Sequence, residues 1–420
     1  MTDAQIIEAA LTILPLLHDL LGSRAPEAIR QLTSWLEGER AGSKEAADEI
    51  LAILSAHPET RQWLREYLPD TIDTRKSFRG PAAAVGAPAP VTPAVPKPSS
   101  YTAVKIFFAT DREATSATEP RRVFSGERAP DGALRFGTCN VSIPAKHAKG
   151  KLEAPWFLRS YWEDPGRHVV LLRVDPMAGQ DFFAAVRRDG KQALLFIHGY
   201  NVTFEDAARR TAQIAWDLNY AGTPILYSWP SRGSPALYSA DEASVEWSAA
   251  HLKTFLCDLA ERGGLTDLHV IAHSMGNRAL TTALRLLGLE SAPVHHVREV
   301  ILTAPDVDSG LFRQMGADIV KTPRRITLYA SQDDLALQAS KKFHKYARAG
   351  DSGDGIVILP GIDSVDATGA DTSFLGHSYF GSVRSIISDV YYALGGLPAA
   401  QRSDLREVEA PAGTYFRYAV

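Results

Sequence analysis

The chain has 420 residues, 45% of them hydrophobic, enough for one large domain and one small one with a sizeable core. Its 45 basic and 49 acidic residues leave a net charge of −4 and are interspersed, with no basic block that would track a nucleic-acid backbone. Two cysteines, Cys139 and Cys257, stand apart at apolar positions, which argues against a disulfide framework or a cysteine zinc site and for buried free thiols in a reducing, cytoplasmic setting.

The first segment, MTDAQIIEAALTILPLLHDLLG, has no basic n-region, and Asp3, Glu8, His18 and Asp19 interrupt its apolar run. A signal peptide and a membrane span are both poor fits. Ile7, Leu11, Leu14, Leu17 and Leu21 instead recur at helical spacing, with Pro15 placed to kink the helix. Three further stripes follow: Ile29, Leu32 and Leu36; Ile50, Ile53 and Leu54; and Trp63, Leu64, Tyr67 and Leu68 after Pro58. Residues 1–78 are therefore expected to form a small helical bundle. A separately tethered bundle suits an adaptor that recruits a protein partner or self-associates, although its apolar stripes serve packing equally well. Residues 79–100, including RGPAAAVGAPAPVTPAVPKPSS, have the composition of a semi-extended linker.

From residue 101 the pattern changes. AVKIFFAT, HVVLLRV, ALLFIHG, PILYSW, LHVIAHS, REVILTA, RITLYAS and GIVILP are short apolar runs bounded by turn residues, as expected of strands buried on both faces. Helix-length segments such as FEDAARRTAQIAWDLNY and EASVEWSAAHLKTFLCDLAER lie between most of the later ones. The alternation predicts an α/β fold over residues 101–420, a mostly parallel sheet flanked by helices. In such a sheet the functional groups belong at the carboxyl ends of the strands.

Ser274 is at such an end. It closes LHVIAHS and opens the helical MGNRALTTALRLLG, the arrangement of a nucleophile elbow. The turn needs small neighbours: Gly276 meets that fully, and Ala272 stands where glycine is more usual. A serine hydroxyl is a weak nucleophile at neutral pH, so a base must take its proton and an acid must orient the base, in the chain order serine, acid, histidine. His377, in a loop between the last strand and a final helix, can reach back over the sheet, whereas His344 stands among lysines on a helix and suits a solvated role. The acid most often follows the penultimate strand. That favours Asp334 after RITLYAS over its neighbour Asp333, and over Asp306 and Asp308 after REVILTAP; one aspartate of the DD pair is also placed to cap the next helix. For the oxyanion, the backbone N–H of Met275 is the first expected donor, and that of Tyr200, in LLFIHGYNVTF, the second. His198 is expected to be structural beside that hole.

IFFATDRE, GTCNVSIPAKHAKG, LLFIHGYNVTFEDAARR, YSWPSRG, VIAHSMGNRAL, APDVD, LYASQDDLAL and GHSYF together resemble the alpha/beta-hydrolase family known as domain of unknown function 900, which is esterase- or lipase-like. The resemblance runs from about Tyr101 to the C-terminus. It implies Ser274 as nucleophile, His377 as base and, through the S-x-x-D-x-A-L block, Asp334 as acid. It says nothing of the helical bundle, and it favours a small-molecule or lipid ester only by analogy.

The expected activity is that of a serine hydrolase cleaving a carboxylic ester through an acyl-enzyme, chemistry that a thioester or an amide would also admit. No metal or cofactor is expected, since there is no His-Glu-x-x-His pair, clustered cysteine set or phosphate-binding glycine loop. The alternative is a binding or signalling protein that keeps the hydrolase scaffold while its helical module recruits the partner.

Overall fold

The structure is a computed structural model, and it describes residues 100–154, 163–233, 237–290, 296–334, 337, 340, 345–369 and 383–418. The expected helical bundle, most of the linker, His344 and His377 lie outside the described residues.

The first strand, β1 (Tyr101–Thr110), is followed by the short β2 (Arg112–Ala114) and β3 (Phe124–Arg128), then by β4 (Arg135–Pro144) and β5 (Val170–Met177). Strands and helices then alternate: α1 (Gly179–Asp189), β6 (Gln192–Ile197), α2 (Phe204–Asp217), β7 (Thr223–Ser228), α3 (Tyr238–Glu261), β8 (Asp267–His273), α4 (Gly276–Glu290), β9 (Val297–Thr303), α5 (Ser309–Ile319), β10 (Arg325–Ala330) and β11 (Ile362–Asp366). Helix α6 (Val383–Leu394) and a hairpin of β12 (Leu405–Ala410) and β13 (Gly413–Tyr418) follow, and short 3-10 turns lie at Pro120–Arg122, Gly353–Gly355 and Ala399–Gln401.

One 11-stranded sheet has the order β12-β13-β11-β10-β9-β8-β6-β7-β1-β4-β5, and β2 pairs with β3 apart from it. From β13 to β1 every pairing is parallel; β12, β4 and β5 join antiparallel at the two edges. The central strands read as unbroken apolar runs because both faces are covered. On one face Phe182, Phe255, Leu280 and Phe312, from α1, α3, α4 and α5, pack on Leu195, Val270 and Leu302. On the other, Ala208 and Ile214 of α2 and Ile386 and Val390 of α6 pack on Phe196, Ile271 and Ile301. Burying a side chain of this size contributes roughly 1.5–3 kcal/mol, and side chains alternating between two such cores hold each strand in register.

The sheet departs from expectation at β11. GIVILP is not a strand: Ile356 and Val357 are buried in a loop, and the Ser364 hydroxyl donates to the carbonyl of Val357 at 2.5 Å. The strand is the following IDSVD, whose pairing with β10 and β13 supplies the ladder that its polar residues do not advertise. Cys139 is buried and Cys257 only partly so, and both are free thiols. No described helix is long and apolar enough to cross a membrane.

The loop after β4 is pinned to α2 by a buried histidine. His147 Nδ1 is 2.7 Å from Glu153 Oε2 and Nε2 is 2.9 Å from Asp217 Oδ1, while Gly150 N–H donates to Asp217 Oδ2 at 2.7 Å. Burial alone would push His147 down, but the bonds to Asp217 and Glu153 outweigh it and raise the imidazolium to about 9. A folded-state value above the unfolded one contributes stability that is full below about 6.5 and fades as pH rises through about 9. Denaturant titrations of wild type and His147→Gln should therefore show the widest stability gap near pH 6, narrowing steadily to pH 9.5; a gap that is flat across that range would mean that the ring is held neutral.

Candidate active site

The exits of β6, β8, β9 and β10 lie side by side, and the turn from β8 into α4 is the tightest of them. Ser274 has φ 48°, a left-handed conformation that is costly for a residue with a side chain. Four bonds hold it there. Ser274 N–H donates to Thr303 O at 3.0 Å, Asp306 N–H donates to Ser274 O at 3.2 Å, and Asn277 Nδ2 donates to both Ser274 O and Thr303 O at 2.9 and 3.1 Å. The exit of β9 thus curls around the elbow, and Ala304 within that curl also has a left-handed φ, 44°.

Close approach explains the two glycines. A Cβ on Gly276 would come within 2.3 Å of His198 O, and one on Gly199 would come within 3.0 Å of Ser274 Cβ and 2.8 Å of His273 Nδ1. The elbow therefore seats directly on the exit of β6. Ser274 remains 6% exposed. The N–H of Met275, next to the first turn of α4, meets no acceptor among the described residues, and it stands at a helix N-terminus, where the macrodipole favours negative charge.

The β6 exit is clamped from below. His198 is buried, stacks on Trp229 with ring centroids 5.0 Å apart, and accepts the Trp229 indole N–H on its carbonyl at 2.7 Å. Its Nδ1 is 2.8 Å from Gly199 O. Burial and the adjacent Arg112 charge hold the ring down to about 3. The Arg112 guanidinium is itself buried, bonding Ser228 Oγ, Ser125 O, Ser231 O, His198 Nε2 and Val202 O at 2.8, 3.2, 2.7, 3.3 and 2.8 Å. Burial lowers Arg112 to about 10 against the pull of Asp111, Asp241 and Asp206, so it remains a cation at neutral pH.

The candidate acids fare differently. Asp306 is 2% exposed with both oxygens engaged: Oδ1 by Ser340 Oγ at 2.6 Å and Arg348 Nε at 3.1 Å, Oδ2 by Tyr238 OH at 2.6 Å and Arg278 Nη2 at 3.3 Å. It ties the starts of α3 and α4 to the β9 exit. Asp308 caps α5 through Leu311 N–H at 2.8 Å. Asp333 is exposed, and its Oδ2 accepts Gly369 N–H at 2.9 Å. Asp334 is 5% exposed at the β10 exit, where Oδ1 accepts Leu337 N–H at 3.0 Å. The capping aspartate of the pair is thus Asp334. The chain that leads to His377 starts against the same exit, with Ala367 N–H donating to Ala330 O at 2.7 Å.

The profile of a family described as alpha/beta hydrolase of unknown function matches residues 177–392, just over half of the sequence. The chain belongs to this family. The matched span contains Ser274, Asp334 and His377 and begins after β1–β4, so the IFFATDRE block lies outside it. Among solved structures, this alpha/beta hydrolase is similar to a chain from a structural analysis of two fungal esterases from Rhizomucor miehei, at 11% identity and a TM-score of 0.32 over 70% of this chain and 84% of that one. It is also similar to carboxyl esterase 2 from the mycorrhizal fungus Tuber melanosporum, at 11% identity and a TM-score of 0.30 over 71% and 88%. No curated protein matches the sequence.

Arg112 and Asn277 are absent from the sequence reading. Asn277 left a faint signal, a polar residue in the first turn of α4 on the face that packs against the elbow. Arg112 left less, because an arginine after a strand ordinarily faces water.

Proposed function

We propose that the chain is a serine hydrolase of carboxylic esters, with Ser274 as nucleophile, His377 as base and Asp334 as orienting acid. The observation that carries this reading is the left-handed Ser274 at the strand-to-helix turn, held by Asn277 and the curl of β9. Backbone strain that the surroundings take such care to maintain belongs to a residue whose side chain must be presented. In the reaction, Ser274 Oγ attacks the ester carbonyl as His377 takes its proton, and the N–H groups of Met275 and Tyr200 stabilise the tetrahedral oxyanion. The alkoxide leaves with a proton from His377, and water cleaves the acyl-enzyme by the same route. Asp334 suits the orienting role better than its rivals do: Asp306 is fully engaged elsewhere, and Asp333 faces solvent. Turnover of a short-chain p-nitrophenyl ester by the full chain tests the reading; a folded protein that hydrolyses none across a panel of acyl lengths contradicts it.

We also propose that residues 101–420 are the catalytic unit, while the bundle within 1–78, tethered by 79–100, governs partners or self-association. Every described strand falls within 101–418, and every proposed catalytic group lies after the linker. Deleting residues 1–100 should change kcat/KM on a soluble short-chain ester by less than about threefold, because no triad member or oxyanion donor is removed. Self-association or partner capture should be lost with the same deletion. A truncated protein that is folded by circular dichroism but inactive would place part of the site in the bundle.

A further inference from the structure

The contacts of His198 determine which of its nitrogens carries the proton. A carbonyl oxygen can only accept, so the 2.8 Å contact with Gly199 O requires a proton on Nδ1. Nε2 then faces two donors. Arg112 Nη2 is 3.3 Å away and has no lone pair to offer, and Ser228 Oγ is 3.2 Å away. The same Ser228 Oγ accepts Arg112 Nε–H at 2.8 Å, which leaves its own hydroxyl proton to point at Nε2. Arg112 therefore acts on the ring twice, once directly and once by orienting Ser228. A proton on Nε2 would meet a guanidinium hydrogen and a hydroxyl hydrogen at once.

The ring in turn sets a peptide plane. In a trans peptide the C=O and the following N–H point in opposite directions. Drawing Gly199 O onto the His198 ring turns the Tyr200 N–H away from that ring, and Gly199 itself abuts Ser274. Arg112 Nη2 also donates to Val202 O at 2.8 Å, and Val202 N–H donates to Ser231 Oγ at 3.1 Å, so the far end of the same loop is fixed to the same support. We propose that Arg112 is a positioning residue of the oxyanion site: it locks His198 as the Nδ1–H tautomer, and that tautomer holds the Gly199–Tyr200 peptide with its N–H presented to the oxyanion formed at Ser274. Without Arg112 the ring is free to carry its proton on Nε2 and donate to Ser228. The Nδ1 lone pair would then oppose the Gly199 carbonyl, and the peptide would lose its preferred orientation.

The inference rests on the hydrolase reading for its kinetic arm and on the described geometry alone for its spectroscopic arm. Nitrogen-15 NMR of histidine-labelled full chain, with the His198 signals identified by their absence from His198→Phe, should show a neutral Nδ1–H ring that does not titrate between pH 5 and 9. Arg112→Gln should lower kcat on a short-chain ester about 100-fold, as expected for the loss of one oxyanion donor, with KM changed by less than about threefold. His198→Phe, which keeps a ring against Trp229 but removes the donor, should fall similarly. Because the two act in series, adding Arg112→Gln to His198→Phe should lower kcat by less than about threefold more. A wild-type ring protonated on Nε2, or a folded Arg112→Gln with normal kcat, or effects that multiply in the double variant would each overturn the inference while leaving Ser274 chemistry untouched. Should Arg112→Gln fail to fold, the wild-type tautomer and the kcat of His198→Phe still decide. A wild-type chain that cleaves no ester would count against the hydrolase reading, and the tautomer measurement would still support or overturn the lock.

Discussion

Ser274→Ala should abolish ester turnover while leaving the protein folded. The side chain is small, and the bonds that shape the elbow are made by the backbone of residue 274 and by Asn277, so the substitution removes one oxygen and no support. Alanine does inherit the left-handed conformation of φ 48°, but it carries no greater steric penalty there than serine does. Loss of kcat should be on the order of 10³-fold or more, with a residual rate contributed by the oxyanion donors and substrate binding. Thermal midpoints within a few degrees of wild type would show that chemistry alone was lost. Near-normal turnover in a folded Ser274→Ala protein would remove Ser274 from the mechanism.

Replacing the candidate acids by asparagine separates a catalytic carboxylate from a structural one. Asp334→Asn keeps the shape of the side chain, and its amide oxygen can still accept Leu337 N–H, but it cannot stabilise an imidazolium. Its kcat should fall by about 10⁴-fold with little change in stability. Asp306→Asn should do the reverse. It leaves Arg348, which is buried, facing a neutral amide, while Arg278 keeps its ion pair with Glu242, and breaking a buried pair of the Arg348 kind destabilises by roughly 3–5 kcal/mol. Its kcat in the surviving folded fraction should drop far less. Asp333→Asn, at an exposed site, should change either quantity little, since an amide oxygen can still accept Gly369 N–H. Stopped-flow kinetics and denaturant titrations on the three variants give the comparison, and a catalytically crippled but stable Asp306→Asn would move the acid one strand earlier.

The parallel sheet was legible because its strands are covered on both faces, which writes them as unbroken apolar runs such as ALLFIHG and LHVIAHS. The elbow was legible because its geometry demands a small residue at Gly276 and a polar one at Ser274 between a strand pattern and a helix pattern. β11 was not. It reads IDSVD and borrows its strand character from β10 and β13, while GIVILP owes its apolarity to a buried loop. The support beneath the site was the least legible part. Arg112 is joined to His198 across 86 positions of sequence and to Ser231 across 119, and nothing in a local pattern marks an arginine whose five N–H groups are all used inside the protein. Asp306 shows the same limit from the other side. As a residue after a strand it competes with Asp334, and only its four partners distinguish a hub from a triad acid.

A fluorophosphonate probe shows whether Ser274 is an activated nucleophile. Such a probe bonds covalently only to a serine whose hydroxyl is deprotonated on attack and whose oxyanion is stabilised. Intact-mass analysis of the full chain should show one adduct per molecule, peptide mapping should place it on Ser274 within VIAHSMGNRAL, and Ser274→Ala should take up none. An unlabelled wild-type protein, or an adduct on any other serine, would contradict the account.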